Sequence, residues 1–329
     1  MGKPIGIGIV GLGRIAGAHM AAAAELPEDV ELVAVSTRNP HKPEAKALEP
    51  KVTVYDSQEA LCRDKRVEAV VICTPNHVRS EPVATAAAAG KHILVEKPMA
   101  LSESEAASMV SRCDEAGVQF MVAQSRRFSR AIHKVRELIG ELGSLIRVDI
   151  DFLVRFPQPA TVWWARSQEA GELVLHLQGS HSLDTVGWLI DGMPESLCCQ
   201  GHPTNPVFAG LDEANIVLKY ATGMLASVAL SLNTEPARHE LHVVGTNGSL
   251  TMIERPGKER FSFEFDVKRD AETVFEERGP SVYVNQLREF VESIRENRNP
   301  IASGREVLKS ARLLDAAVKS YRSGAVYAL

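Results

Sequence analysis

The chain has 329 residues, 45% of them hydrophobic and 24% charged, with a formal net charge of −5. That length allows two domains with sizeable cores, and the mildly acidic balance argues against a general nucleic-acid or membrane-surface binder. No apolar run is long enough to span a bilayer, and the first residues lead into a strand without a signal-peptide pattern. Five cysteines, Cys62, Cys73, Cys113, Cys198 and Cys199, lack zinc-type spacing. Their odd number and apolar settings fit reduced thiols, and so a cytoplasmic protein. The adjacent Cys198 and Cys199 read as strand packing rather than a redox couple.

The stretch Ile5 to Met20 carries the strongest signal. Ile5, Ile7 and Ile9 alternate with small residues as a short buried strand. Gly11-Leu12-Gly13-Arg14-Ile15-Ala16 follows at once, and the Ala-rich run from Ala18 to Ala24 predicts a helix. Strand, Gly-rich turn and helix together are the setting in which G-x-G-x-x-G/A binds a dinucleotide. Gly11 allows the tight turn, Gly13 lets a pyrophosphate approach the backbone, and Ala16 lets helix and strand pack closely. The turn, including Arg14 and Ile15, then lies against the phosphates, with free N–H groups of the helix end aimed at them.

Val30 to Val35 predicts the second strand, ending in Ser36-Thr37-Arg38. About twenty residues past the turn, an NAD site usually carries an acid on the ribose hydroxyls. None is present. Ser36, Thr37 and the planar donors of Arg38 suit a 2′-phosphate instead, which places NADP(H) ahead of NAD(H). Further on, Val52 to Tyr55 reads as a strand, Ser57 to Cys62 as a helical turn, and Ala69 to Cys73 as a continuous apolar strand of a parallel sheet. Thr74, Pro75 and Asn76 follow at its C-terminal end, the side of such sheets on which ligands bind.

Glu81 to Ala89 predicts a helix stopped by Gly90, and His92 to Val95 a strand closed by Glu96-Lys97-Pro98. A lysine there is placed over a bound cofactor, suited to acid/base chemistry, with Pro98 pinning the chain after it. Ser102 and Glu105 form a capping box for a helix to Glu115. Gln119 to Val122 is the last strand of the βα pattern. The expected division is therefore a dinucleotide-binding domain over 1–123 and an α+β domain over 124–329, an α/β chain overall, with the C-terminal helices free to pack back on the first domain.

Ser129 to Gly140 predicts a connecting helix, and from Leu145 the pattern changes to alternating strands at Ile146–Ile150, Asn215–Tyr220, Met224–Leu232 and Glu240–Val244. Turns at Gly223, Gly245 and Asn247-Gly248 make this a mostly antiparallel sheet. Between these strands, Gly171 to Asp184 reads as a helix in which His181 and Asp184 share a face, with His176 one turn earlier. Arg127, Arg155 and Arg166 offer sites for a phosphate or carboxylate, and Trp163-Trp164 a surface for a sugar ring. Tyr283–Arg298 and Arg305–Ser323 predict amphipathic helices that pack on the domains. No metal-ligand cluster is visible.

Together GLGRIA, CTPN at 73–76, EKP at 96–98, HxxD at 181–184 and the QLREF helix at 286–290 resemble the glucose–fructose oxidoreductase/inositol dehydrogenase/MocA family over nearly the whole chain. The resemblance implies a Rossmann domain and a second domain whose large open sheet builds a homodimer or homotetramer. It also implies hydride transfer between a nicotinamide cofactor and a sugar, cyclitol or related polyol. By position, Lys97 would hold or deprotonate the reacting hydroxyl, His181 would be a second acid/base group or hydrogen-bond partner, and Asp184 would orient the site, with Glu96 in the cofactor region. Two positions depart from the family pattern. Leu177 stands where many members carry an Asp, and Arg79 where many carry a His, with His77 directly after the Asn. Whether Lys97 or His181 is the base stays open. So do two other readings: a glycoside-cleaving enzyme with a retained cofactor, and a nicotinamide-binding regulator without catalysis.

Overall fold

The computed structural model describes residues 2–166, 172–279 and 281–329. The chain forms two compact units, Met1–Ser125 with Pro280–Leu308, and Arg126–Gly279 with Lys309–Leu329.

The first unit is built on a parallel sheet of six strands: β1 (Ile5–Val10), β2 (Val30–Ser36), β3 (Thr53–Tyr55), β4 (Ala69–Ile72), β5 (His92–Val95) and β6 (Phe120–Val122). Their order is β3-β2-β1-β4-β5-β6. The chain runs outward to β3, returns beside β1, and continues to β6. The switch point between β1 and β4 is where a doubly wound sheet opens a crevice at its carboxyl ends. β1 and β4 are buried along their whole length, as their unbroken apolar runs require in a sheet covered on both faces.

Small residues set the spacing of this layer. A Cβ on Gly6 would lie 1.9 Å from the Arg66 carbonyl oxygen, so only glycine fits there. Helix α1 (Ala16–Ala24) buries Ala16, Ala18, Ala22 and Ala23. Its small face also meets a later helix, α8 (Val282–Arg295), which belongs to this unit. The other helices here are α2 (Pro43–Lys46), α3 (Gln58–Arg63), α4 (Ser80–Ala88) and α5 (Glu103–Glu115). Ser102 caps α5 by accepting from the Glu105 amide at 3.2 Å. The expected return bond lands one residue earlier, since the Glu105 carboxylate accepts from the Leu101 amide at 3.1 Å.

The second unit carries a nine-stranded sheet of β7 (Leu145–Arg155), β8 (Ser196–His202), β9 (Glu213–Lys219), β10 (Leu225–Ser231), β11 (Asn233–Gly245), β12 (Gly248–Pro256), β13 (Phe263–Arg269), β14 (Glu272–Glu277) and β15 (Tyr327–Ala328). The order is β14-β13-β12-β11-β7-β10-β9-β8-β15. β7 and β10 run parallel, and the other neighbours are antiparallel. Helices α6 (Arg130–Ile139) and α7 (Ser180–Leu189) pack on the sheet. Helix α9 (Gly304–Ser323) contributes residues 304–308 to the first unit and 309–323 to the second.

The expected helix over Gly171–Asp184 differs in form. Leu175–Gly179 is a π-helical turn leading into α7, and Gly171 lies outside the described residues. β14 escapes the periodicity argument because its charged and apolar residues do not alternate, and its pairing with β13 shifts register between Val267 and Lys268. The five cysteines are free. Burial pushes the Cys113 and Cys199 thiols up to about 12, which leaves them protonated and inert at neutral pH. Cys198 and Cys199 point to opposite sides of β8, as successive strand residues do.

Gly6→Ala should destabilise the protein by at least ~3 kcal/mol, because backbone rather than a flexible side chain must move. Gly2→Ala, where a Cβ meets nothing within 4 Å, should leave it unchanged. Urea unfolding of both variants checks this.

Candidate active site

The first half of the site lies at the crevice between β1 and β4. Gly11 has φ +93°, a region strained for any side chain, and a Cβ there would sit 3.2 Å from the Cys73 carbonyl carbon. The Gly11 amide donates to the Ser36 carbonyl at 2.9 Å, which ties the turn to the end of β2. Gly13 is exposed, and α1 begins without a side-chain cap, its Ala16 and Ala18 amides donating to the Gly13 and Ile15 carbonyls at 3.1 and 2.9 Å. Arg14 and Arg38 are exposed and have no partner among the described residues. Thr37 is half-buried, with its hydroxyl accepting from the Asn39 amide at 3.4 Å.

After β4, three buried polar atoms have no hydrogen-bond partner among the described residues: Thr74 Oγ1, Asn76 Nδ2 and His77 Nδ1. Asn76 is only 1% exposed. Buried donors and acceptors are normally satisfied, so an unsatisfied set beside the Gly-rich turn fits a polar ligand laid across both loops. The dinucleotide implied by the fold supplies such a ligand, with the open turn for its phosphates and the Thr74–Asn76 loop for its polar groups.

At the end of β5, Glu96 is buried and Lys97 half-buried. Both Glu96 oxygens are engaged. His19 Nε2 lies 2.8 Å from Oε1, and the Lys97 amide donates to Oε2 at 3.1 Å. Burial favours the neutral acid, but the His19 hydrogen bond and charge, followed by Arg79 and Lys97, hold Glu96 below the usual carboxylate range. Glu96 therefore anchors the turn that carries Lys97. Arg79, singled out as a departure from the family pattern, is buried and donates to the carbonyls of Thr74 and Pro98. It links the loop after β4 to the Glu96–Pro98 turn. Burial lowers its pKa to about 10, so it stays cationic at neutral pH.

In the second unit, His181 and Asp184 lie in α7, both buried. Asp184 is paired with Arg127: Nε donates to Oδ2 at 2.8 Å and Nη2 to Oδ1 at 2.7 Å. Ser310 donates to the same Oδ1 at 2.6 Å. The two residues named separately for substrate and orienting roles are thus each other's partners, and this edge of Arg127 is not open to an incoming anion. His181 instead meets Arg126, whose Nη1 lies 3.3 Å from His181 Nε2. Arg126 also grips Glu254 through Nε at 3.1 Å and Nη2 at 2.6 Å. His239 Nδ1 is 3.0 Å from Glu254 Oε2, and its ring stacks on Phe152 at 4.0 Å.

Sequence reading misses Arg126, Glu254 and His239. Arg126 adjoins the singled-out Arg127, but its partner is 128 residues away on β12, and only the register pairing His239 with Glu254 brings the group together.

His176 is buried in the π turn, where its Nδ1 donates to the Glu172 carbonyl at 3.1 Å and burial lowers its pKa, keeping the ring neutral. Trp164 is buried edge-on against Phe156 and Trp163, and Trp163 is half-buried. Arg155 forms an exposed pair with Glu235 at 2.7 Å, and Arg166 is exposed. Among the described residues, no group of three or more His, Cys, Asp or Glu side chains is placed to hold a metal ion, and no helix is long and apolar enough to cross a membrane.

A doubly wound sheet with a Gly-rich turn at its switch point, joined to a unit with a large open sheet, defines a two-domain dinucleotide-dependent class. Residues 5–124 match the family model for the GFO/IDH/MocA oxidoreductases with an NAD-binding Rossmann fold, and residues 132–251 match the GFO/IDH/MocA C-terminal domain. The chain is 30% identical over 254 residues to 2,7-anhydro-N-acetylneuraminate hydratase of Escherichia coli, covering 75% of this chain and 67% of that one. It is 28% identical over 334 residues to D-xylose 1-dehydrogenase (NADP(+)) 2 of Haloferax volcanii, covering 98% and 99%. Its fold superposes on aldose-aldose oxidoreductase from Caulobacter crescentus with a TM-score of 0.86 at 23% identity, over 99% and 100% of the two chains. The chain belongs to the GFO/IDH/MocA family and is an NAD(P)-dependent oxidoreductase of that family.

Two stability predictions follow from the buried pairs. Asp184→Ala strands the Arg127 guanidinium and should cost ~3–5 kcal/mol in denaturant unfolding, whereas Arg127→Met with Asp184→Leu should recover most of that loss. Burial would raise the Glu254 carboxyl, but Arg126 and His239 bring it from 4.5 down to about 2. Its stabilisation is therefore fully present above pH 4.5 and lost as pH falls through 2. Glu254→Gln should flatten that acid limb in a pH series of unfolding curves.

Proposed function

We propose that the protein transfers a hydride between NADP(H) and a hydroxyl or keto carbon of a sugar, cyclitol or related polyol. The observation that carries the proposal is the unsatisfied polar set of Thr74 and Asn76 beside the open Gly11–Gly13 turn, with Lys97 at the end of the next strand. Oxidation of a secondary alcohol removes a hydride from carbon and a proton from oxygen. The nicotinamide, when bound, exchanges the hydride. The chain's own residues handle the proton and the charge. Lys97 holds the reacting hydroxyl and exchanges its proton, and as a cation it stabilises the developing alkoxide. His181 is a second acid/base group or hydrogen-bond partner for the reacting oxygen. Asp184 keeps α7 in place through Arg127. Trp163, Trp164 and His176 are the remaining candidates for shaping substrate selection.

The cofactor preference rests on Ser36, Thr37 and the exposed, unpartnered Arg38, with no carboxylate at the end of β2. Relatives aligned over nearly the whole chain are named for NADP(+) in one case and NAD(+) in another, so the preference rests on the chain's own residues. The carbohydrate substrate class draws on the relatives' names. The protein is further proposed to act in the cytoplasm, where its free thiols stay reduced. It would do so as a homodimer or homotetramer joined through the second unit's sheet. One relative is named a hydratase, which favours a second reading: a retained cofactor that is oxidised and reduced within one turnover, with no net redox change.

A panel of sugars, sugar phosphates, cyclitols and glycosides, with NAD+ and NADP+ in parallel, should give a steady rise in reduced-nicotinamide absorbance with at least one polyol. Lys97→Ala should abolish it. Conversion of a substrate without any change in nicotinamide absorbance would replace this proposal with the second reading. Arg38→Ala should weaken NADP+ binding by about tenfold more than NAD+ binding, the weight of one charge-assisted contact. Equal losses in fluorescence titrations would remove the preference.

A further inference from the structure

The group His181, Arg126, Glu254, His239 and Phe152 lies within the second unit and is drawn from five segments of the chain: the turn before α6, β7, α7, β11 and β12. Arg126 is its centre. A guanidinium has donors and no acceptor, and it stays protonated at every working pH. At 3.3 Å the contact between Arg126 Nη1 and His181 Nε2 therefore has one direction: Nη1 donates, and Nε2 must present a lone pair. The imidazole proton is then on Nδ1. Protonating Nε2 would break this bond and place two cations side by side.

Arg126 is not free to turn away. Its Nε and Nη2 are bound by the two Glu254 oxygens, and Glu254 is buried. The guanidinium carbon lies 5.5 Å from the Phe152 ring centroid and 5.0 Å from that of Phe263. Glu254 remains ionised, since Arg126 and His239 outweigh its burial. Phe152 is fixed in turn by the stacked His239 ring. The charged and titratable groups that the printed contacts link to His181 include Arg126 from the segment before α6, Glu254 from β12 and His239 from β11.

We propose that Arg126 is a positioning residue that holds His181 neutral in the Nδ1–H form, so that His181 serves as a hydrogen-bond donor and leaves the exchange of the substrate proton to Lys97. The assignment deepens the reaction proposed above and rests on it for the role of Lys97. The tautomer itself stands on the geometry of the second unit alone.

The test is long-range 1H–15N correlation spectroscopy of the full-length protein with 15N-labelled histidine at neutral pH, with the His181 signals identified by their loss in His181→Gln. Nε2 is expected in the unprotonated range and Nδ1 in the protonated range. Arg126→Met should lower the Nδ1–H to Nε2–H ratio by about tenfold, the factor carried by one charge-assisted hydrogen bond, and Arg126→Lys should restore part of it. Glu254→Gln, which loosens Arg126 without removing it, should shift the ratio in the same direction as Arg126→Met. An Nε2–H tautomer in the unaltered protein, or a ratio that Arg126→Met leaves unchanged, overturns the proposal. No substrate or turnover enters this measurement, so its failure is separable from failure of the absorbance assay.

Discussion

A carboxylate taken out of water needs a cation or several donors, and three buried carboxylates place the polar framework of this protein. Glu96 is held by His19 and by the amide of the next residue, Lys97. Asp184 is held by Arg127 and Ser310. Glu254 is held by Arg126, with His239 beside it. Each stands next to a residue assigned to the chemistry, or is linked to one through a single partner. Glu96 precedes Lys97 in the chain, Asp184 shares a helix with His181, and Glu254 reaches His181 through Arg126. The candidate reactive groups are therefore attached to positions that electrostatics does not allow to drift.

Such pairs are a weak source of stability. Desolvating both partners costs several kcal/mol, and apolar side chains of similar volume often pack as well or better. Their value here is directional. The bidentate Arg127–Asp184 contact fixes the rotation of α7 about its axis, which apolar packing alone leaves looser. The π turn over Leu175–Gly179 supports the same reading. It interrupts the regular hydrogen-bond ladder immediately before α7 and resets the face on which His181 falls. In the first unit Arg79 does comparable work with backbone carbonyls, fastening the Thr74 loop and the Pro98 turn to each other.

The parallel layer was legible in the residues because burial on both faces leaves unbroken apolar runs, as at Ala69–Ile72, and because Gly11 stands at a turn whose φ of +93° needs it. The cap at Ser102 was legible for a similar local reason, since it satisfies an amide three residues on. The antiparallel unit was less so. β14 carries charge on both faces, so its alternation gives no clear inside. The Arg126–Glu254–His239 group was not legible at all, because sheet register rather than sequence spacing makes His239 and Glu254 neighbours. The pairing of Arg127 with Asp184 was hidden in the same way. Each had a plausible separate use, and only the fold shows that they satisfy one another.

The same physics bears on which net reaction such a framework supports. A dehydrogenase and an enzyme that oxidises and reduces its substrate within one turnover ask the same work of the acid/base groups: a proton leaves an oxygen, charge builds there, and a neutral donor steadies it. Lys97 and His181 would serve either. What separates the two is whether the nucleotide leaves, and that depends on the far end of the cofactor region rather than on the proton-handling groups. There Arg14 and Arg38 are exposed, without partners among the described residues, and Thr37 is only half-buried. Long exposed side chains give up conformational freedom when a phosphate orders them and regain it on release, which weakens binding relative to a prefolded clamp. An adenine end of this kind favours exchange of nucleotide with solution. On that ground we keep the dehydrogenase proposed above ahead of the retained-cofactor enzyme.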